Sequence, residues 1–63
     1  MKTKLDNIIC DLWNISRTAL AGSDCSRYSR MIYVKNELIK SYPELIEGMS
    51  SKRIWFAIED QLN

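Results

Sequence analysis

A chain of 63 residues is long enough for one domain and no more, and it buries only about 60% of the surface its unfolded form exposes. Nine Lys and Arg against eight Asp and Glu leave a formal charge of +1, which argues neither for nor against nucleic acid as a partner. With no histidine and only two cysteines, Cys10 and Cys25, a structural zinc site of four Cys or His ligands is excluded unless a dimer shares the metal.

Met1 is followed by Lys2, Thr3 and Lys4 and then by an amphipathic stretch, not by an unbroken apolar signal core. No apolar run approaches the roughly 20 residues that cross a bilayer. The expected compartment is the cytoplasm, with both thiols reduced and no membrane contact. Small domains supplement their cores with disulfides, metals or a partner subunit. A partner subunit is the supplement expected here.

In the first segment Leu5, Ile8, Ile9, Leu12, Trp13, Ala19 and Leu20 recur at intervals of three and four, which lines them on one helical stripe. Thr3 and Asp6 stand at capping-box spacing just ahead of it, with Asp as a shorter substitute for the usual Glu. Gly22 can take the left-handed turn that stops the helix, and Ser23 and Asp24 are placed to open the next one. The second segment puts Tyr28, Met31, Ile32, Leu38, Ile39 and Tyr42 on one face, with Cys25 at its upstream edge. Lys40 suits the negative end of its dipole. Pro43 ends it, because the residue before a proline is pushed out of helical geometry.

After Pro43 the pattern restarts with Leu45, Ile46 and Met49, broken by Gly48, Ser50 and Ser51. This predicts a short helix over residues 43–48 and a separate one over 52–62, the latter carrying Ile54, Trp55, Ile58 and Leu62 on one side. A single bent helix is the alternative. No stretch alternates with period two for long enough to make a strand. The expected fold is therefore all-α: one domain, residues 1–63, with a helical hairpin followed by a third helical region and completed as a homodimer.

Catalytic constellations are missing. The commonest general base, histidine, does not occur. Glu44/Glu47 and Glu59/Asp60 read as solvated charge, and so short a chain has little volume for a water-excluding cleft. Cysteines at helical core positions are usually packing material. No phosphate-cradling glycine loop is present. An enzyme is not expected, nor is a cofactor or a metal.

The residues that miss the core stripes say more. Ile15, Tyr33, Val34 and Phe56 are apolar but fall off the main faces, and Trp13 and Trp55 would dominate any surface they join. Leftover apolar area on a small protein usually marks a contact site. The expected partner-binding anchors are Trp13, Tyr33, Trp55 and Phe56, with Arg27 and Arg30 at the rim. Twofold self-association is the simplest form such a contact takes.

A second reading involves DNA. From Arg17 to Lys40 five basic residues stand against two acidic ones, a weak electrostatic footprint that a mixed-charge, solvated helix face explains better. Gly48-Met49-Ser50-Ser51 followed by Ile54 and Ile58 has the turn and anchor spacing of a helix-turn-helix. Lys52 and Arg53 would then lead a recognition helix. The upstream half fits badly: Glu44 stands where a small residue belongs, Pro43 shortens the first helix, and Glu59 and Asp60 repel phosphate.

From the opening Met-Lys-Thr-Lys-Leu-Asp-Asn-Ile-Ile-Cys-Asp-Leu-Trp to the closing Trp-Phe-Ala-Ile-Glu-Asp-Gln-Leu-Asn, the chain resembles the very small early proteins of lambdoid phages encoded between the recombination and excision genes. The likeness is one of length and overall texture and covers the whole chain. It implies an accessory protein that binds a host protein in the host cytoplasm and biases host physiology and the choice between lysis and lysogeny. It implies no catalytic residues.

Overall fold

The computed structural model describes residues 2–62. Three α-helices run in order, α1 (Lys4–Ala19), α2 (Arg27–Ser41) and α3 (Ser51–Leu62), with one 3-10 turn (Pro43–Leu45) between the last two. No strand occurs among the described residues.

α1 begins where its capping box places it. Thr3 Oγ1 accepts from the Asp6 amide at 3.1 Å, and Asp6 Oδ2 accepts from the Thr3 amide at 3.2 Å. The short Asp side chain therefore reaches far enough to satisfy both amides. The helix ends as the Leu20 amide bonds back to the Ser16 carbonyl at 3.0 Å. Gly22, at φ 83°, then turns the chain.

α2 starts later than the Ser23–Asp24 pair suggests. Its N-cap is Ser26, whose hydroxyl accepts from the Ser29 amide at 3.3 Å. Asp24 braces that cap from outside the helix: Oδ1 accepts from the Ser26 amide at 3.1 Å and Oδ2 from the Ser29 hydroxyl at 2.7 Å. An Asp hydrogen-bonding its own backbone two residues on makes a turn, which keeps residues 24 and 25 outside the helix. The Ser29 and Ser26 bonds hold the Asp24 carboxyl below its ordinary value of 3.8.

The face of α2 also differs from the expected stripe. Met31, Val34 and Leu38 are its buried residues, with Val34 fully enclosed, whereas Tyr28 is 65% and Ile39 49% exposed. Val34 thus belongs to the core it was expected to miss, and Tyr28 and Ile39 leave it. Both sets have helical spacing, and the neighbours of α2 decide between them. On α1, Ala19 is likewise exposed.

Instead of the short helix expected over 43–48, Pro43–Leu45 make a single 3-10 turn. Gly48, at φ 80°, redirects the backbone. Ser50 then caps α3, its hydroxyl accepting from the Arg53 amide at 3.2 Å. The bent-helix alternative is ruled out by this break.

Ile9, Leu12, Met31, Val34, Leu38, Ile46, Ile54 and Ile58 form the buried cluster, in which α1, α2 and α3 all take part. Every one of these side chains is aliphatic or thioether. Among the described residues the single buried polar one is Ser16. Its hydroxyl donates to the Trp13 carbonyl at 2.6 Å and accepts from Arg30 Nε at 2.8 Å, while Arg30 Nη2 donates to the same carbonyl at 2.7 Å. Residues late in α1 are thereby tied to the first turn of α2, as a helical hairpin requires.

Two predictions test this packing. Leu38→Ala should destabilise the chain by about 2–5 kcal/mol, whereas its sequence neighbour Ile39→Ala should change stability by less than about 0.5 kcal/mol; urea unfolding of each variant measures the contrast. Asp24 generates a pH dependence. Because its folded value lies below 3.8, its contribution is fully present above that pH and is lost as pH falls through the lowered value. Thermal midpoints of the natural chain should therefore drop in that acid window more steeply than those of Asp24→Asn.

Candidate functional site

All six aromatic residues (two Trp, three Tyr, one Phe) lie outside the fully buried cluster. Where the helices place them defines the surfaces available for contact.

The first surface is a shallow groove between α2 and α3. The Ser26 cap brings Arg27 and Tyr28 to the start of α2, and Trp55 projects from α3 beside the buried Ile54. The Tyr28 and Trp55 rings meet with centroids 5.6 Å apart and planes tilted at 59°, within the range that the ring quadrupoles favour. Trp55 Nε1 donates to Glu59 Oε1 at 3.1 Å, one helical turn on, which fixes the indole edge. Arg27, Tyr28, Met31, Trp55 and Glu59 line this groove, whose volume is about 390 Å³. Its walls are aromatic and its borders carry charges of opposite sign.

The second surface lies on the other side of α3. Successive helical residues point about 100° apart, so Phe56 cannot share the Trp55 groove. It is 50% exposed and lines a hollow of about 330 Å³ with Met49, Arg53, Ala57 and Asp60. The Lys52 ammonium stands 5.7 Å from the Phe56 ring centroid, close enough for a cation–π attraction.

Trp13 is elsewhere. Half-buried against the core, its ring carries the Arg30 guanidinium 3.9 Å from the centroid. Arg30 is engaged with α1 through this contact and its two hydrogen bonds, which leaves Arg27 at the groove border. Tyr33 is half-buried against the core, away from the residues lining either groove. The anticipated anchors and rim residues are thus divided among separate places: Trp55 and Arg27 line the first groove, Phe56 the second, Trp13 and Arg30 meet at the α1–α2 seam, and Tyr33 lines neither groove. Tyr28, the most exposed large hydrophobic side chain among the described residues, belongs to the candidate site although its spacing assigns it to the core stripe. A legible signal did exist: two apolar stripes on one short helix are more than two neighbouring helices can cover.

Neither cysteine is in a disulfide. Cys10 Sγ accepts from Lys2 Nζ at 3.2 Å, and the Cys25 thiol approaches the Arg17 carbonyl at 3.8 Å. Among the described residues, no group of three or more Cys, Asp or Glu is placed to hold a metal ion. No helix among them is long and apolar enough to cross a membrane. Searches of protein-family models, curated proteins and solved structures found no match to this chain.

The environments of the two ring types predict different responses to truncation. Trp13→Ala should destabilise by about 2 kcal/mol, less than truncation of a fully buried ring, whereas Phe56→Ala should stay within about 0.5 kcal/mol of the natural chain. Circular dichroism during urea titration checks both.

Proposed function

We propose that this chain acts by binding another protein rather than by catalysing a reaction, and that the Tyr28–Trp55 groove is its principal docking face. The observation that carries this reading is the pair itself: two large rings in contact at an open surface, one of them 65% exposed. Aromatic anchors near the centre of an interface carry most of its affinity. In a chain with so little surface, exposed rings are a concentrated contact resource.

The occupant we assign to the groove is a second copy of the chain. A twofold axis through the groove sets the Tyr28 and Trp55 rings of each protomer against those of the other. That is the self-complementarity an isologous interface needs. Phe56, with Lys52 and Arg53 beside it, then remains on the outside of the dimer as the anchor for a host protein. In the setting that the phage resemblance implies, such binding takes place in the host cytoplasm and biases the choice between lysis and lysogeny.

One observation favours DNA instead: Lys52 and Arg53 are exposed on the first turn of α3. Against it, the upstream partner of that helix is a single 3-10 turn, and Glu59 and Asp60 follow on the same helix. DNA binding through several cations would weaken steeply with salt, whereas an apolar protein contact would change little.

Sedimentation equilibrium at about 300 µM, where a dimer with a dissociation constant of tens of micromolar is mostly assembled, should give dimer mass for the natural chain and monomer mass for Tyr28→Ala with unchanged helicity. Monomer mass for the natural chain would overturn the assignment of the groove. Phe56→Ala should remain dimeric and lose capture of the host protein, and retention of that capture would remove Phe56 as the anchor.

A further inference from the structure

We propose that Arg30, Ser16 and the Trp13 carbonyl form a lock on the rotation of α2, selecting which of its two apolar stripes faces the core. The inference is independent of the docking role, although it determines that Tyr28 is left outside.

At about 100° per residue, Met31, Val34 and Leu38 make one stripe of α2, and Tyr28, Ile32 and Ile39 make a second roughly 100° further round. Each presents three large apolar side chains. Hydrophobic burial is non-directional and scales with area, so it discriminates poorly between them. Lys35, at the edge of the second stripe, is a weak obstacle, because its aliphatic stem can lie along apolar surface with the ammonium in water.

Arg30 occupies the flank of the buried stripe that faces away from the second one. In that position its Nε reaches Ser16 Oγ at 2.8 Å, its Nη2 reaches the Trp13 carbonyl at 2.7 Å, and the guanidinium covers the Trp13 ring. Rolling α2 to bury Tyr28, Ile32 and Ile39 swings Arg30 toward solvent. Both charge-assisted hydrogen bonds break and the indole loses its cation. These interactions depend on angle as apolar contact does not. Replacing a buried polar cluster by apolar groups of similar size is often neutral for stability. The network's effect is therefore on which helix face is chosen more than on how tightly the bundle holds.

The test uses the full chain with Cys10→Ala and Cys25→Ala, and a single reporter thiol introduced as Val34→Cys or, separately, Ile9→Cys. Both positions are fully buried. Alkylation rates are compared with and without the paired change Ser16→Ala, Arg30→Met, which keeps side-chain bulk and removes the hydrogen bonds. The expected result is retained helicity, at least about tenfold faster labelling at residue 34, and an unchanged rate at residue 9, the pattern of a local rotation rather than global opening. If both reporters accelerate together, if neither does, or if the paired variant loses its helicity, the network is a source of stability and the proposal is overturned.

Discussion

Isolated helices shorter than about 12–15 residues are marginal in water, however favourable their sequence. With 12 and 15 residues, α3 and α2 sit at or below that limit. They persist because Ile54 and Ile58 close against Ile9, Leu12, Met31, Val34 and Leu38. The helices therefore exist through one another. A single aliphatic cluster is what three short rods can enclose. An indole or phenol ring needs neighbours on both faces and at its edge, which the geometry does not provide. The rings are displaced to the margins of the cluster.

Features that depend on neighbours in the chain were readable before the fold was known. Thr3 and Asp6 sit at capping spacing and cap α1. Gly22 and Gly48 turn the backbone where apolar periodicity stops. Pro43 ends α2, and Ile54 and Ile58 face inward as their spacing suggests. Azimuth was less legible. Apolar spacing placed Ile39 on the inner face and Val34 off it, whereas Val34 is buried and Ile39 exposed, with a guanidinium bonded to Ser16 fourteen residues away. The start of α2 was obscured in a similar way, since Ser23, Asp24 and Ser26 are all competent caps and only the Asp24 side-chain bonds show which is used. At the candidate site, Trp55 announced itself by its bulk and Phe56 by falling off the apolar face of its helix. Tyr28 did not, because it repeats in register with Ile32 and Ile39.

Arginine and tryptophan are the residue types that most often anchor protein contacts, and the chain applies the pair twice with opposite sense. Arg30 over Trp13 is turned inward, where the cation–π contact and the two hydrogen bonds hold α2 to α1. Arg27 near Trp55 is turned outward, beside an open groove. The first arrangement gives the second a fixed platform: Tyr28 lies two residues before Arg30 on the same helix, so immobilising the guanidinium also limits where the phenol can go. A rigid aromatic surface loses little conformational freedom on association, which favours affinity.

Gly22 and Gly48 share an unusual combination. Each holds a positive φ, 83° and 80°, and a β-carbon added to either would meet nothing within 4 Å. The objection to a side chain at these corners is therefore purely torsional, and it concerns handedness: an L residue is strained there, whereas a mirror-image alanine is at ease. At 63 residues the polymer is within reach of chemical synthesis. D-alanine at both corners would restrict the disordered chain to torsions the folded one already uses, by the same entropic route through which a compatible glycine replacement contributes about 0.4–1 kcal/mol. The two bends are thus places where chirality alone can stiffen the molecule, leaving its aromatic margins untouched.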